Sequence, residues 1–383
     1  MLETPYLERH GDLAGLLETV VNPHLPTTLI SRQYQDWIAS SVCALPAFLS
    51  SFFGYEVRLA DPAPRADFLL CVHKQPGGAF LASTNDVLPA RYLASDAWRN
   101  LRAFASAWMR PGSPLHDVVE NMWLELDVEG PFADVPVPFT FFKPTGHTLD
   151  ARGDLGWVLD GIHALTGQPV ARGTQDCLRH VVRAMPPGGH VFQVAPMPAG
   201  RGRDAVRLCI RDVAPDALAP FLARIGWPGD AARLATEIGW LRHAIDGLAL
   251  NLDVSDGVAP KLGLECYLDF NGRVLTRTKA LLDELVERGL CLPGKRADIL
   301  RYHGWTDQRA HLAGWPVHLF TEAMLLRPDE LSVFWRKLHH VKLVVHPDRA
   351  LEAKAYLLVC HSWVLPALIA QARQSMALAA TAA

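Results

Sequence analysis

Two alternating stretches and the turn between them decide the fold: Leu248-Ala-Leu-Asn-Leu-Asp-Val254, Ser255-Asp-Gly-Val-Ala-Pro260 and Lys261-Leu-Gly-Leu-Glu-Cys-Tyr-Leu268. In both flanking stretches, apolar and polar side chains alternate, and a β-strand places successive side chains on opposite faces. The Asp, Gly and Pro residues of the connection are typical of a turn. The sequence therefore predicts a β-hairpin with one apolar face and one polar face.

The same pattern of paired strands recurs four more times along the chain. The other predicted pairs are 55–59 with 67–73, 122–128 with 137–142, 190–195 with 205–211, and 341–346 with 352–357. Stretches with helical spacing lie between the pairs. Repetition of this kind indicates one supersecondary unit used several times, in which no copy can bury its apolar face alone. Five hairpins predict ten antiparallel strands.

The polar faces of these strands carry residue types that are typical of binding sites. They are Trp123, Glu125, Arg207, Arg211, Asn251, Asp253, Lys261, Glu265, Tyr267, Lys342, His346, Lys354 and Tyr356. Helices are expected to cover the apolar face, because they too must bury an apolar side. An open sheet would leave the polar face in bulk solvent, whereas a closed sheet makes it the wall of a lumen. We favour an α+β fold with a ten-stranded antiparallel barrel, a polar lumen and surrounding helices, and keep the open sheet as the alternative.

Composition narrows the class of protein. The chain has 383 residues, of which 50% are hydrophobic, and its 37 basic and 40 acidic side chains nearly cancel. This much apolar material predicts a large core and excludes intrinsic disorder. A net charge of −3 argues against a dedicated nucleic-acid binder. We expect one large domain: an N-terminal helical segment at 1–50, the barrel at 51–365 and a C-terminal helix or tail at 366–383.

The seven cysteines are scattered without a C-x-x-C pair, which indicates reduced thiols rather than a disulfide framework. The first ten residues lack the features of a signal peptide, and no apolar run is long enough to span a bilayer. A cytoplasmic protein is expected. Among the sixteen histidines, only His339 and His340 are adjacent. Neighbouring side chains on a strand point to opposite faces, so a shared metal site is not expected.

One segment resembles a known family. The chain runs from a strand at 191–197 through a turn rich in Gly, Pro and Arg to a strand that ends on Arg211, and then to a helix that starts at Pro215. This layout and the repeated hairpins resemble the αββα-barrel ("ABBA") aromatic prenyltransferases, and are closest in layout to the branch that prenylates ribosomal peptides in cyanobactin pathways. The resemblance covers about residues 50–365 and rests on the order of the elements.

The resemblance implies an enzyme of natural-product biosynthesis that moves an isoprenoid group from an allylic diphosphate onto an aromatic or other nucleophilic acceptor, such as a peptide side chain. By position it implies a diphosphate site made of Arg207, Arg211, Lys261, Tyr267, Lys342, Lys354 and Tyr356. Fixed cations and phenolic donors suit such a leaving group. No cofactor is required by the sequence, and Mg²⁺ is compatible with the diphosphate.

Two carboxylates are candidates for taking up the proton that the acceptor loses, Glu265 and Glu125. Four further side chains are expected to line the cavity near the acceptor: Trp123, Asn251, Asp253 and His346. The chain lacks the early Glu and Arg-Glu-Pro pattern of the indole prenyltransferases near Arg58. This departure argues against free tryptophan as the acceptor.

Two other interpretations stay open. The lysines and glutamates of the polar faces could be cross-strand ion pairs on a wet surface, each worth little. The same barrel could also be a non-catalytic peptide-binding or partner protein of a ribosomal-peptide pathway. A narrow cavity lined by Lys261, Lys342 and Lys354 favours the enzyme, and a lumen filled by side chains favours the binding protein.

Overall fold

The computed structural model describes residues 11–84, 87–131, 135–146, 149, 153–197, 205–269, 274–310 and 315–372. The strands in these ranges are β1 (Phe52–Arg58), β2 (Ala66–His73), β3 (Val119–Leu126), β4 (Phe139–Pro144), β5 (His190–Met197), β6 (Ala205–Arg211), β7 (Gly247–Val254), β8 (Val258–Tyr267), β9 (Gly304–Asp307), β10 (Leu331–Val345) and β11 (Glu352–Val364).

The helices surround these strands. The described α-helices are α1 (Leu13–Leu16), α2 (Arg32–Val42), α3 (Ala79–Ala82), α4 (Ala90–Ala94), α5 (Asp96–Met109), α6 (Gly156–Thr166), α7 (Arg172–Arg183), α8 (Pro215–Arg224), α9 (Ala231–Glu237), α10 (Leu241–Ala244), α11 (Val274–Glu287), α12 (Pro293–Tyr302) and α13 (Val317–Leu326). None of the described helices is long and apolar enough to cross a membrane.

The sheet closes on itself. Strands β1 to β8 are hydrogen-bonded in chain order, β8 pairs with β10, β10 with β11, and β11 returns to β1, all antiparallel. In the closing pair, Phe52 lies opposite Cys360 and Arg58 opposite Lys354. The expected ten-stranded barrel is confirmed, and the open sheet is wrong. Closure removes the edge strands that an open sheet would expose.

Alternation in the strands separates a packed outer face from a lumen. Leu250, Leu252 and Leu264 point outward and are fully buried, as are Leu218 and Phe221 of α8. The opposite sides of the same strands carry Asn251 and Glu265, which face the lumen. Burial of apolar surface between strands and helices is the main contribution to stability here.

The structure extends the predicted strand set at one end. The fifth hairpin was expected at 341–346 with 352–357, but β10 and β11 are much longer, and the short strand β9 pairs with β10 through Trp305 opposite Trp335. Strand β10 contains a register shift between Leu338 and His340. An irregularity of this kind inserts an extra residue, so the alternation of 331–338 is out of phase with that of 340–345 and the two parts do not form one continuous pattern.

One junction of the barrel is weakly paired. Strands β4 and β5 share a single register pair, Phe142 with Val194, whereas every other junction has at least six. Pro196 cannot donate a backbone hydrogen bond to β4. A cavity of about 540 Å³ lies beside this junction, between helices α5, α6 and α7 and the strand ends.

Candidate active site

A cavity of about 350 Å³ occupies the lumen and is lined by residues of all ten barrel strands. Six aromatic rings form much of its wall: Phe52, Trp123, Phe141, Phe192, Tyr267 and Tyr356. The polar lining includes Lys143, Arg211, Asn251, Glu265 and Lys342. A volume near the lower end of the range for small-molecule sites suits a compact ligand.

Lys342 is the cation at the centre of the polar lining. It is carried by β10, and Gly263 of the neighbouring strand β8 leaves room for its side chain. Its Nζ atom donates to Asn251 Oδ1 at 2.5 Å and lies 3.8 Å from Glu265 Oε1. The hydroxyl of Tyr267 donates to the other oxygen, Glu265 Oε2, at 2.5 Å. Both oxygens of this carboxylate are therefore engaged.

Three buried polar atoms of the cavity wall have no hydrogen-bond partner among the described residues. They are Asn121 Oδ1, Asn251 Nδ2 and His340 Nε2. Leaving a buried polar atom without a partner costs about 1–3 kcal/mol. Buried polar atoms in proteins nearly always have a hydrogen-bond partner. A polar ligand in the cavity could supply the missing partner of these three atoms.

Glu56, which the sequence analysis did not select, holds two predicted diphosphate ligands. Lys354 Nζ donates to Glu56 Oε1 at 2.6 Å, and the Tyr356 hydroxyl donates to the other oxygen. Burial alone would raise the pKa of Glu56, but the positive charges of Lys354 and Lys342 and the two hydrogen bonds lower it to about 2. The Glu56 carboxylate is thus ionised at neutral pH and a poor proton acceptor.

The remaining ionic groups form a layer of ion pairs beyond the cavity lining. Arg207 makes a two-pronged contact with Asp253 at 2.6 and 2.9 Å, and His346 Nε2 lies 3.2 Å from Glu352. Lys261 is exposed, and its pKa is lowered by burial of part of the side chain and by Lys354 and Arg207. We call Arg58, Asp67, Glu56, Lys354, Arg207 and Asp253 the ion-pair layer.

The thirteen residues singled out in the sequence divide into two groups. Eight line the cavity: Trp123, Glu125, Arg211, Asn251, Glu265, Tyr267, Lys342 and Tyr356. Five do not: Arg207, Asp253, Lys261, His346 and Lys354. The surface-ion-pair interpretation is wrong for Lys342 and Glu265, because both are largely buried inside the closed barrel.

Arg211 is held by aromatic rings. Its guanidinium lies 4.4 Å from the ring centre of Phe192 and 4.5 Å from that of Tyr267. Phe192 reaches the lumen because β5 has a register shift between Val191 and Gln193, which puts Phe192 and Gln193 on the cavity wall together. Simple alternation would place these two neighbours on opposite faces, and this explains why Phe192 was missed.

The histidine pair, His339 and His340, departs from the expectation that adjacent side chains point apart. The irregularity in β10 turns both imidazoles into the cavity, with their Nδ1 atoms 2.8 Å apart. The His340 ring stacks on the Tyr356 ring, with the ring centres 4.1 Å apart and 17° between the ring planes. Burial lowers the pKa of both histidines well below the usual value, and positively charged neighbours lower it further. Both imidazoles are neutral at pH 7.

Side chains that could bind a metal ion are dispersed in the described part of the chain. No group of three or more His, Cys, Asp or Glu side chains there is arranged to hold a metal ion. Other cavity residues that the sequence analysis missed include Phe52, Asn121, Phe141 and Lys143, which lie on β1, β3 and β4. The alternation of β3 that identified Trp123 and Glu125 also contains Asn121, which is the one signal that could have found it.

The chain is similar to known proteins in its fold and not in its sequence. No protein-family model and no curated protein matches the sequence. The structure is similar to that of AnaPT from Neosartorya fischeri, with a TM-score of 0.51 and 12% identity over 93% of this chain and 94% of that one. It also matches, less well, prenyltransferase PriB with L-tryptophan and dimethylallyl thiolodiphosphate (TM-score 0.45, 14% identity, 90% and 93% covered).

A third match is 5-dimethylallyl tryptophan synthase from Streptomyces coelicolor in complex with DMASPP and Trp (TM-score 0.41, 13% identity, 90% and 92% covered). The likeness to AnaPT shows that this chain has the αββα barrel. The expected resemblance to aromatic prenyltransferases is confirmed at the level of the fold. The cyanobactin branch stays a prediction.

Proposed function

We propose that this chain is a prenyltransferase that moves an isoprenoid group from an allylic diphosphate onto an aromatic acceptor. The observation that carries the proposal is the cavity inside the closed barrel, where aromatic walls, cations and three unpartnered buried polar atoms meet. Such a site can bind an anionic leaving group at one side and shield a reactive allylic cation at the other.

The donor's diphosphate is assigned to Lys342 and Arg211. Asn251 Nδ2, which is buried and has no partner in the described part of the chain, supplies a further donor beside Lys342. Tyr356 lies on the cavity wall and Lys354 lies outside the lining, and both donate to Glu56. Lys261, which is exposed and lies outside the cavity lining, adds positive potential. Arg207 also lies outside the lining, and its charge is balanced by Asp253.

The reaction follows from these contacts. The allylic C–O bond breaks, the diphosphate leaves with the electron pair, and the allylic carbon bonds to a ring carbon of the acceptor. Phe52 and Trp123, whose ring centres are 4.9 Å apart, and Phe141 offer π-faces to the allylic cation. Because these walls also exclude water, the cation is transferred and not hydrolysed.

The volume of the cavity argues for a short donor. A space of about 350 Å³ has to hold the prenyl group, the diphosphate and part of the acceptor. We therefore propose dimethylallyl diphosphate as the donor and an aromatic side chain of a peptide as the acceptor, with the rest of the peptide outside the lumen. Asp253 and His346, which the sequence placed near the acceptor, lie outside the cavity lining and are held by Arg207 and Glu352, so no contact with the acceptor is assigned to them.

A second candidate is a non-catalytic peptide-binding protein. It is favoured by the internal charge balance of the ion-pair layer, in which Glu56 and Asp253 already neutralise Lys354 and Arg207. A diphosphate would have to compete with those carboxylates. The open cavity lined by Lys342 argues against a non-catalytic binding protein, although Lys261 and Lys354 are not part of the lining.

The test is a binding and transfer assay on the purified full chain. Calorimetry with dimethylallyl S-thiolodiphosphate measures donor binding, and mass spectrometry follows transfer from dimethylallyl diphosphate to L-tryptophan, L-tyrosine and peptides containing either, with and without Mg²⁺. We expect saturable binding that Lys342→Ala weakens at least about tenfold and the exposed-site control Lys279→Ala leaves unchanged. Peptide binding without diphosphate binding or transfer would replace the enzyme by the binding protein.

A further inference from the structure

The titratable groups in and around the cavity differ in whether another side chain already occupies the atom that would accept a proton. Glu265 accepts the Tyr267 hydroxyl with one oxygen and faces Lys342 with the other, and Glu56 is tied to Lys354 and Tyr356. His340 Nε2 is different, since it is buried on the cavity wall and has no partner among the residues that the structure describes. The imidazole as a whole is 7% exposed.

We propose that His340 Nε2 accepts the proton that the aromatic acceptor loses during prenyl transfer, and that His339 is the positioning residue that keeps this nitrogen unprotonated. The inference rests on the proposed function and adds a residue role to it. The 2.8 Å contact between the two Nδ1 atoms requires one ring to donate and the other to accept. If His340 donates its Nδ1–H to His339, its Nε2 keeps a lone pair to which no described residue donates.

Neighbouring rings fix the orientation of the acceptor nitrogen. The rings of Tyr356 and His340 are stacked with their centres 4.1 Å apart. The ring centre of Tyr267 lies 4.9 Å from that of His340, with 35° between the two ring planes. The ring therefore cannot rotate without displacing an aromatic neighbour, and a base that is held in place loses less entropy in the reaction. The stacked arrangement therefore keeps the imidazole in one orientation.

The charges around the histidine pair suit a base that works only when the donor is present. The charged and titratable groups that face the pair are Glu56, Arg211, Glu265, Tyr267, Lys337, Lys342 and Tyr356. Burial first, and then Lys342 and Arg211, lower the pKa of His340. A diphosphate bound to those two cations offsets their charge and raises the pKa of His340 again, which strengthens the base during the reaction.

The proton-transfer step balances without another reactant. After the allylic carbon has bonded to the ring carbon, the C–H bond at that carbon breaks and its electron pair restores the aromatic system. The proton moves to His340 Nε2, and the imidazolium then donates through both nitrogens. Its Nδ1–H to His339 becomes a charge-assisted hydrogen bond, which stabilises the protonated state. The diphosphate product can carry the proton away.

The decisive experiment compares His340→Gln with His243→Gln, which replaces an exposed histidine on the segment before β7. With dimethylallyl diphosphate and the acceptor found in the panel, we expect kcat of His340→Gln to fall about 100-fold or more. Binding of dimethylallyl S-thiolodiphosphate should stay within about twofold, since donor binding uses other groups. An acceptor deuterated at the prenylated carbon should show a primary isotope effect on kcat in His340→Gln that is absent in the wild type.

Other outcomes would overturn the inference. The role of His340 is excluded if His340→Gln keeps kcat within about threefold of the wild type, or if the isotope effect appears in Glu125→Gln or Glu265→Gln instead. Failure of the proposed function looks different: the wild type itself releases no diphosphate with any acceptor. A second measurement needs no variant, because ¹⁵N spectra of histidine-labelled wild type at pH 7 should show His340 protonated at Nδ1 only. Protonation at Nε2 would contradict the inference.

Discussion

Gly263 lies directly beneath the side chain of Lys342: a Cβ atom at position 263 would come within 2.5 Å of Lys342 Cε and 3.5 Å of its Nζ. The ammonium group reaches Asn251 on the far side of β8 only because position 263 has no side chain. The placement of the central cation therefore depends on a residue that carries no charge itself.

Gly263→Ala should weaken binding of the donor in a chain that still folds. The atoms that a methyl group would come closest to are at the far end of a flexible lysine, so the side chain can swing away. The buried Asn251 Oδ1 then loses its donor, which should lower the free energy of unfolding by about 1–3 kcal/mol. We expect the dissociation constant for dimethylallyl S-thiolodiphosphate to rise about tenfold, as measured by calorimetry. Gly247→Ala is the matched control, since its added Cβ would meet nothing closer than 3.7 Å. Equal effects of the two substitutions would contradict this account of Lys342.

Glu56→Gln should move stability and donor affinity in opposite directions. The substitution leaves the buried Lys354 without its carboxylate, which should lower the free energy of unfolding by about 3 kcal/mol in urea titrations. It also releases Lys354 and the Tyr356 hydroxyl to face the lumen, so affinity for the diphosphate analogue should rise. A loss of affinity would show that Glu56 organises the donor site and does not compete with it.

Asp67 should make stability depend on pH in an unusual direction for a carboxylate. Burial and the neighbouring Glu56 charge raise the pKa of Asp67 to about 6, despite its contact with Arg58 at 3.1 Å. The unfolded chain ionises near 3.8, so the folded state binds more protons between these values. The contribution of Asp67 is present in full below pH 4 and is lost as pH rises through 6.

The measurement is the unfolding free energy of the wild type and of Asp67→Asn at several pH values. The stability of the wild type relative to the variant should fall by about 2 kcal/mol between pH 4 and pH 7. Glu56, whose pKa is lowered to about 2, acts oppositely and matters below about pH 4.5, where the unfolded chain begins to take up its proton. A pH-independent difference for Asp67→Asn would rule out the raised pKa.

Trp123→Ala should relax the choice of donor. The indole packs edge-on against Phe52 and forms part of the cavity wall, so its removal adds room where the prenyl chain is proposed to lie. We expect the ratio of kcat/KM for geranyl over dimethylallyl diphosphate to rise about tenfold or more, because even one methylene changes discrimination in an apolar pocket by about tenfold and geranyl is longer by five carbons. Trp240→Ala, which removes a tryptophan that packs against Arg288 on the outer helices, should leave the ratio unchanged.

The outward and inward faces of most strands could be predicted from sequence, because a period of two is visible in any regular strand. Lys342 and Glu265 were assigned to the same lumen in this way, and they lie opposite each other in β10 and β8. Strand irregularities defeated the same logic. Phe192 and His339 reach the cavity only because β5 and β10 each shift register at one point, and no local residue pattern marks those shifts.

The ion-pair partners of the barrel residues could not be predicted from the sequence either, for a different reason. Glu56 and Lys354 meet across the strand pair that closes the barrel, 298 positions apart in the chain. Their contact depends on how many strands complete the ring, which the sequence of either strand does not contain. The resemblance to a prenyltransferase implies that Arg207 and Lys354 bind the diphosphate, whereas in the structure both are held by carboxylates.

Closure of the barrel through β1 and β11 has a consequence for how the protein is made. Residues 52–58 find one of their two neighbours only in residues 354–360, so a ribosome must synthesise nearly the whole barrel before its first strand is flanked on both sides. Until then β1 exposes an unpaired backbone edge, which can pair with other chains. Contacts this distant in sequence also make folding slow. A nascent chain of this protein therefore depends on protection for most of its synthesis, and truncation before residue 354 removes the strand that seals the ring.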